Sequence, residues 1–184
     1  MSKKILIIAY KFPPYSGVGG YRWAKLAKHF AKQGIEVHVA TVRWSKTSEN
    51  TLLEDVTDTN ISIHRIGSIY PNRLIQGNSS SKALNLAQSI CLRVLNKLIF
   101  WDDEAQHWGR NLIPFCSELI KRHEIDTMIA TGHPFQAIRH AATIKRKIPG
   151  IKFIADFRDP WFQHRKESLS ERKLNQLREW MQEI

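Results

Sequence analysis

Five short runs rich in branched apolar residues alternate with stretches of helical period, and this alternation leaves the chain few folds to choose from. The first run, Lys4-Ile5-Leu6-Ile7-Ile8-Ala9-Tyr10, passes through Lys11-Phe12-Pro13-Pro14-Tyr15-Ser16-Gly17-Val18-Gly19-Gly20 into a helical pattern over 21–33. The others fall at 35–42, 61–66, 125–131 and 151–155. Every connection is long enough for a crossover. The expected architecture is therefore α/β, a Rossmann-like, mostly parallel sheet flanked by helices on both faces. In such a sheet, ligands bind outside the carboxyl ends of the strands.

The first strand exit carries much of that expectation. Pro13 and Pro14 stiffen it, while Gly17, Gly19 and Gly20 let backbone amides approach a ligand that a Cβ would exclude. The helix start behind them offers unpaired N–H groups and a partial positive charge, a seat for an anion. The spacing is not that of a dinucleotide fingerprint. A third glycine in G-x-G-x-x-G register would fall at position 22, which is Arg22.

Length and charge narrow the classes. At 184 residues with 42% hydrophobic and 24% charged, the chain suits one globular domain spanning 1–184. Lys plus Arg number 28 against 17 Asp plus Glu, so the net charge of +11 points to anionic partners. Cys91 and Cys116 lie in apolar helical patterns without C-x-x-C spacing and read as reduced packing residues. No segment reaches the roughly 18 apolar residues of a membrane span, and the opening run is too short for a signal-peptide core. The expected location is cytoplasmic, at most peripheral on the inner face of the membrane.

Further along, Gly34 is placed to end the first helix. Residues 77–81 read as a mobile loop. An amphipathic helix over 82–101 lines up Ala83, Ala87, Ile90, Cys91, Val94, Leu95 and Leu98, with Lys82, Arg93 and Lys97 along one edge. Packing on the sheet is one reading of that face, and docking on anionic lipid is the other. Asp102-Asp103-Glu104 reads as the N-cap of a helix over 104–123, and Ser168-Leu169-Ser170-Glu171 as a capping box opening a last helix that runs to Ile184. That helix stops without a cap, as a truncated chain would.

Three segments should meet at the carboxyl edge: the loop 12–20, the turn Thr131-Gly132-His133-Pro134, and Asp156-Phe157-Arg158-Asp159-Pro160-Trp161. A glycine loop for phosphate or sugar, a histidine for hydrogen bonding and an Asp/Arg/Asp set for hydroxyls together suit a polyhydroxylated anionic substrate. There is no metal-ligand motif around Asp156 and Asp159, and no G-x-S-x-G elbow, so no metal and no acyl-transfer triad is expected.

The order of these motifs resembles the N-terminal domain of the family 4 glycosyltransferases of GT-B fold. It rests on Ile5-Leu6-Ile7-Ile8 with Phe12-Pro13-Pro14, on Gly17-Val18-Gly19-Gly20 with Arg22, on Gly34-Ile35-Glu36-Val37-His38-Val39, on Trp101-Asp102 with Trp108, and on Thr131-Gly132-His133-Pro134. Asp156-Phe157-Arg158-Asp159-Pro160-Trp161 is similar to a turn of a bacterial surface-polysaccharide subgroup. The resemblance implies a retaining, metal-free transfer of a sugar, of hexosyltransferase type. The sugar would pass from a nucleotide-diphosphate sugar to a saccharide or lipid-linked acceptor. It also implies a second, C-terminal domain that holds the nucleotide, without which these 184 residues are inactive. Carried over, Gly19, Gly20 and Arg22 lie on the donor phosphate side, and His133 is the catalytic-site residue hydrogen-bonded to the transferred sugar. Tyr15, Asp156, Arg158 and Asp159 face the acceptor.

Two rivals remain. A stand-alone Rossmann-like nucleotide-binding module would bind a nucleotide sugar tightly by itself. A nucleic-acid binder fits the charge, but basic residues scattered over several helices without aromatic RNA-binding strands argue against nucleic acid as partner.

Overall fold

Each of the five apolar runs is a strand: β1 (Lys4–Ile8), β2 (Glu36–Val42), β3 (Ile61–Ile66), β4 (Thr127–Thr131) and β5 (Lys152–Asp156). The structure, a computed structural model, describes residues 3–15, 17–44, 56–72, 82–161 and 169–184. Its helices are α1 (Val18–Lys32), α2 (Lys82–Leu98), α3 (Gly109–His123), α4 (Gln136–Lys147) and α5 (Glu171–Gln182). The strands form one all-parallel sheet in the order β3-β2-β1-β4-β5, with Ile7 beside Val39 on one flank and Ile129 on the other. This is the expected Rossmann-like α/β sheet.

Alternation along the strands sorts the core into two layers. Ile5, Ile7, Val37, Val39 and Ile129 meet Trp23, Ala24, Ala27 and Ala31 of α1 on one face. Leu6, Ile8, Ala40, Met128 and Ala130 meet Leu112 and Cys116 of α3 and Ala137, Ile138 and Ala141 of α4 on the other. Central strands buried on both faces carry near-continuous apolar sequence because neither side meets water. Cover is incomplete at the β5 edge, where Ile154 stays 51% exposed.

Helix ends depart from expectation in instructive ways. α1 begins at Val18, not at residue 21, so Gly19 and Gly20 belong to its first turn. It stops as expected: Gly34 at φ 75° lets its own N–H reach Ala31 O at 2.9 Å and Ile35 N–H reach Phe30 O at 3.1 Å, a Schellman closure. α3 begins at Gly109, not 104, because the carboxylates of residues 102–103 are drawn inward to cap another element. At α5 the cap is Ser170, with no side-chain cap bond; Ser168 of the expected capping box lies outside the described residues, and the helix ends at Gln182.

α2 forms as its periodicity demands, but the apolar face does not pack on the sheet. Ile90 and Val94 are exposed, Leu98 is 71% exposed, and Cys91, read as a packing residue, faces solvent. The central strands are covered by α1, α3 and α4, and the apolar face of α2 stays in solvent. The loop expected at 77–81 lies outside the described residues.

Candidate functional site

The strand order fixes where a cleft can open. From β1 the chain runs outward to β2 and β3, whereas β4 and β5 lie on the opposite flank. The β1–α1 and β4–α4 loops therefore part at the boundary between β1 and β4, with α1 on one face and α4 on the other. That divergence is the switch point at which open parallel sheets bind ligands.

The Pro13–Pro14 peptide bond at the β1 exit is cis. The exit is tied to its neighbours by Arg65 of β3, which donates to Pro13 O at 3.1 Å, and by Thr41 of β2, which donates to Tyr10 O at 3.1 Å. The Tyr15 ring stacks on Trp44, with centroids 5.1 Å apart. Gly20 has a structural reason in addition to the one expected. A Cβ there would lie 2.8 Å from Tyr15 O, so the glycine admits the loop's own backbone to the helix. The first turn of α1 holds no acidic residue and no side-chain cap bond, and the N–H groups of its first residues have no intrahelical acceptor.

At the β4 exit both peptide bonds flanking His133 are cis. Lys11 Nζ lies 3.4 Å from His133 Nδ1 and 2.9 Å from Glu104 Oε1. An ammonium can only donate, so Nδ1 accepts and the neutral imidazole keeps its proton on Nε2. His133 is thereby held as a donor, with its side chain 41% exposed. Burial alone would raise the Glu104 carboxyl, but the Lys11 ammonium holds it below the ordinary carboxylate range, and His133 adds to that only when it is protonated.

At the β5 exit Asp156 is engaged by two neighbours. Arg22 of α1 grips it with two bonds of 2.9 and 3.0 Å, and the Thr131 hydroxyl donates to Oδ2 at 2.8 Å. Arg22 and Asp156, read from sequence as phosphate-side and acceptor-side residues, are thus each other's partners across the rim. Arg158 is exposed beside α1, where a Cβ on Gly19 would come within 3.2 Å of its Nη1. Asp159 is exposed at the same exit.

One buried hub ties these exits together. Asp102 accepts from Gln136 Nε2 at 2.8 Å and from Trp161 Nε1 at 3.2 Å. Asp103 accepts from the backbone N–H of Gln136 at 3.0 Å and of Ala105 at 2.9 Å. It therefore caps α4 from a distant loop. Burial first, then the Asp102 and Glu104 charges, push the Asp103 carboxyl well above its ordinary value.

Gly20, His133 and Asp156 therefore stand at one rim, with Tyr15, Arg22 and Arg158 beside them. Sequence reasoning missed Lys11 and Glu104. An acidic triplet in a chain of net charge +11 marks Glu104 as a partner for some basic side chain, but nothing in the sequence says which one.

No family model and no curated protein matches this sequence. Among solved structures, the C-terminal domain of a Pyrococcus furiosus hydrogenase aligns with 84% of this chain and 90% of its own, at 14% identity and TM-score 0.43. A Streptomyces sp. SF2575 glycosyltransferase aligns at 16% identity and TM-score 0.46, and its complex with thymidine diphosphate at 17% and 0.45. This chain spans 39% of the first of those two and 38% of the second. A hydrogenase domain and a sugar transferase at equal likeness carry no functional argument.

Proposed function

We propose that this chain is the acceptor-side half of a two-domain nucleotide-sugar glycosyltransferase, working in surface-polysaccharide synthesis by a retaining, metal-free route. The observation that carries the reading is the meeting of an uncapped helix N-terminus, a donor histidine and an Asp/Arg pair at one switch-point rim. A sugar diphosphate has both features such a rim recognises, negative charge and many hydroxyls.

In this reading the amides of Gly19 and Gly20 face the donor pyrophosphate, and Arg22 supplies charge beside them. His133 Nε2–H hydrogen-bonds the transferred sugar, while Lys11 fixes the tautomer. Tyr15, Asp156, Arg158 and Asp159 receive a saccharide or lipid-linked acceptor, with Asp156 preset by Thr131 and Arg22. A second domain closes over the donor and completes the nucleotide site. The basic, apolar flank of α2 rests on the anionic inner face of the membrane, where a lipid-linked acceptor resides.

The test is transfer of a labelled sugar from nucleotide-diphosphate donors to membrane acceptors by the full-length protein and its His133→Ala variant. Turnover should fall about 100-fold, the scale of one lost transition-state donor, with donor affinity nearly unchanged. Unaltered turnover removes His133 from the site. Submicromolar binding of a nucleotide sugar by these 184 residues alone would instead favour the stand-alone nucleotide-binding module.

A further inference from the structure

At the amino-terminal edge of the sheet, away from the cleft, four titratable side chains converge. Glu36 and His38 come from β2, His64 from β3, and His123 from the last residue of α3. His38 Nε2 is 2.9 Å from Glu36 Oε1, and His123 Nδ1 is 3.7 Å from the same oxygen. The His38 and His123 rings are 4.5 Å apart at their centroids. A carboxylate oxygen and one nitrogen from each of these two imidazoles lie within 4.8 Å of one another.

We propose that Glu36, His38 and His123 bind a divalent transition-metal ion of the zinc class, with water in a fourth position. Two ligands about 2.1 Å from a tetrahedral ion stand about 3.4 Å apart. The observed 2.9 and 3.7 Å bracket that spacing, so small rotations of Glu36 and His123 admit the ion. Two imidazoles and a carboxylate suit zinc, copper or nickel better than calcium or magnesium.

The surroundings supply what a ligating histidine needs. His38 Nδ1 lies 3.1 Å from His64 Nε2, so with Nε2 on the metal the Nδ1–H donates to His64 and holds the ring in place. Phe115 backs the His64 ring at 5.4 Å. His38 is almost wholly buried, whereas Glu36 and His123 are about a third exposed and form the entrance. Lys4 Nζ lies 3.6 Å from Glu36 Oε2, leaving Oε1 to the ion. The ion would staple β2 to the end of α3, a structural or regulatory clamp independent of the sugar-transfer reading.

Purified chain without an affinity tag, stripped by chelator, is titrated with Zn2+ against a chromophoric competitor. One equivalent should bind with a dissociation constant of about 1 µM or tighter. Glu36→Gln and His123→Ala should each weaken it about tenfold or more, and the exposed His29→Ala should not. Circular dichroism checks that each variant is folded, and Zn2+ should raise the unfolding temperature of the wild type but not of the two ligand variants. Binding weaker than about 100 µM, or affinity untouched by both variants, overturns the site.

Discussion

Gly20 shows how a single residue type decides the shape of the cleft. With a Cβ only 2.8 Å from Tyr15 O, Gly20→Ala must push the β1 exit away from α1. An expected loss of about 1–3 kcal/mol, the usual range for overpacking, is checked by urea unfolding. Gly150→Ala is the control: nothing lies within 4 Å of its Cβ, and no loss beyond about 0.5 kcal/mol should appear. At Asp156 the same scale of reasoning separates function from stability. Its pair with Arg22 is partly exposed and contributes under about 1 kcal/mol, so it fixes the geometry of the rim more than it stabilises the fold.

Among the elements, α4 depends most on residues remote in sequence. Its first N–H is satisfied by Asp103, and His140 inside it donates through Nε2 to Ala105 O at 2.9 Å. Burial pushes the His140 imidazole down to about 4. A base depressed in the folded state contributes stability that is present above its ordinary value near 6.5 and lost as pH falls toward about 4. The loss amounts to roughly 3 kcal/mol for such a shift. Denaturant midpoints from pH 7 to pH 4 should therefore fall more steeply in the wild type than in His140→Gln, which cannot titrate; parallel curves would remove His140 as the cause. Asp103 works in the opposite sense. Its raised value adds stability on acidification and loses it as pH rises, so the comparison must be made against the single variant.

For the whole molecule, α2 presents an exposed apolar face among the described residues. Ile90, Val94 and Leu98 are exposed beside Arg93 and Lys97 on a chain of net charge +11, and no helix among the described residues is long and apolar enough to cross a membrane. Vesicles rich in anionic phospholipid should co-sediment the protein at low salt and release it as ionic strength rises. Ile90→Ser with Val94→Ser should abolish that binding while shifting stability by no more than about 0.5 kcal/mol per site. Retention of vesicle binding in this double variant would remove α2 as the contact. α5 is held differently: Arg139 of α4 lies over the Trp180 ring at 4.4 Å and pairs with Glu183, so the last helix covers α4.

The sequence by itself determined the strands and their parallel pairing, because apolar runs bounded by glycine and proline are local signals read within a few residues. It also located His133 and Asp156 at strand exits, since a residue's place on a strand follows from the same pattern. Only tertiary structure decided that Arg22 meets Asp156 and that Lys11 and Glu104 set His133. The same holds for Asp103 capping α4 in place of its own helix, and for Glu36, His38 and His123 sharing one corner. Apart from Glu36 and His38, neighbours on β2, those pairings join charges or caps from segments far apart in the chain. Their partners are chosen by how buried groups must be satisfied once the sheet is assembled, a choice no local pattern contains.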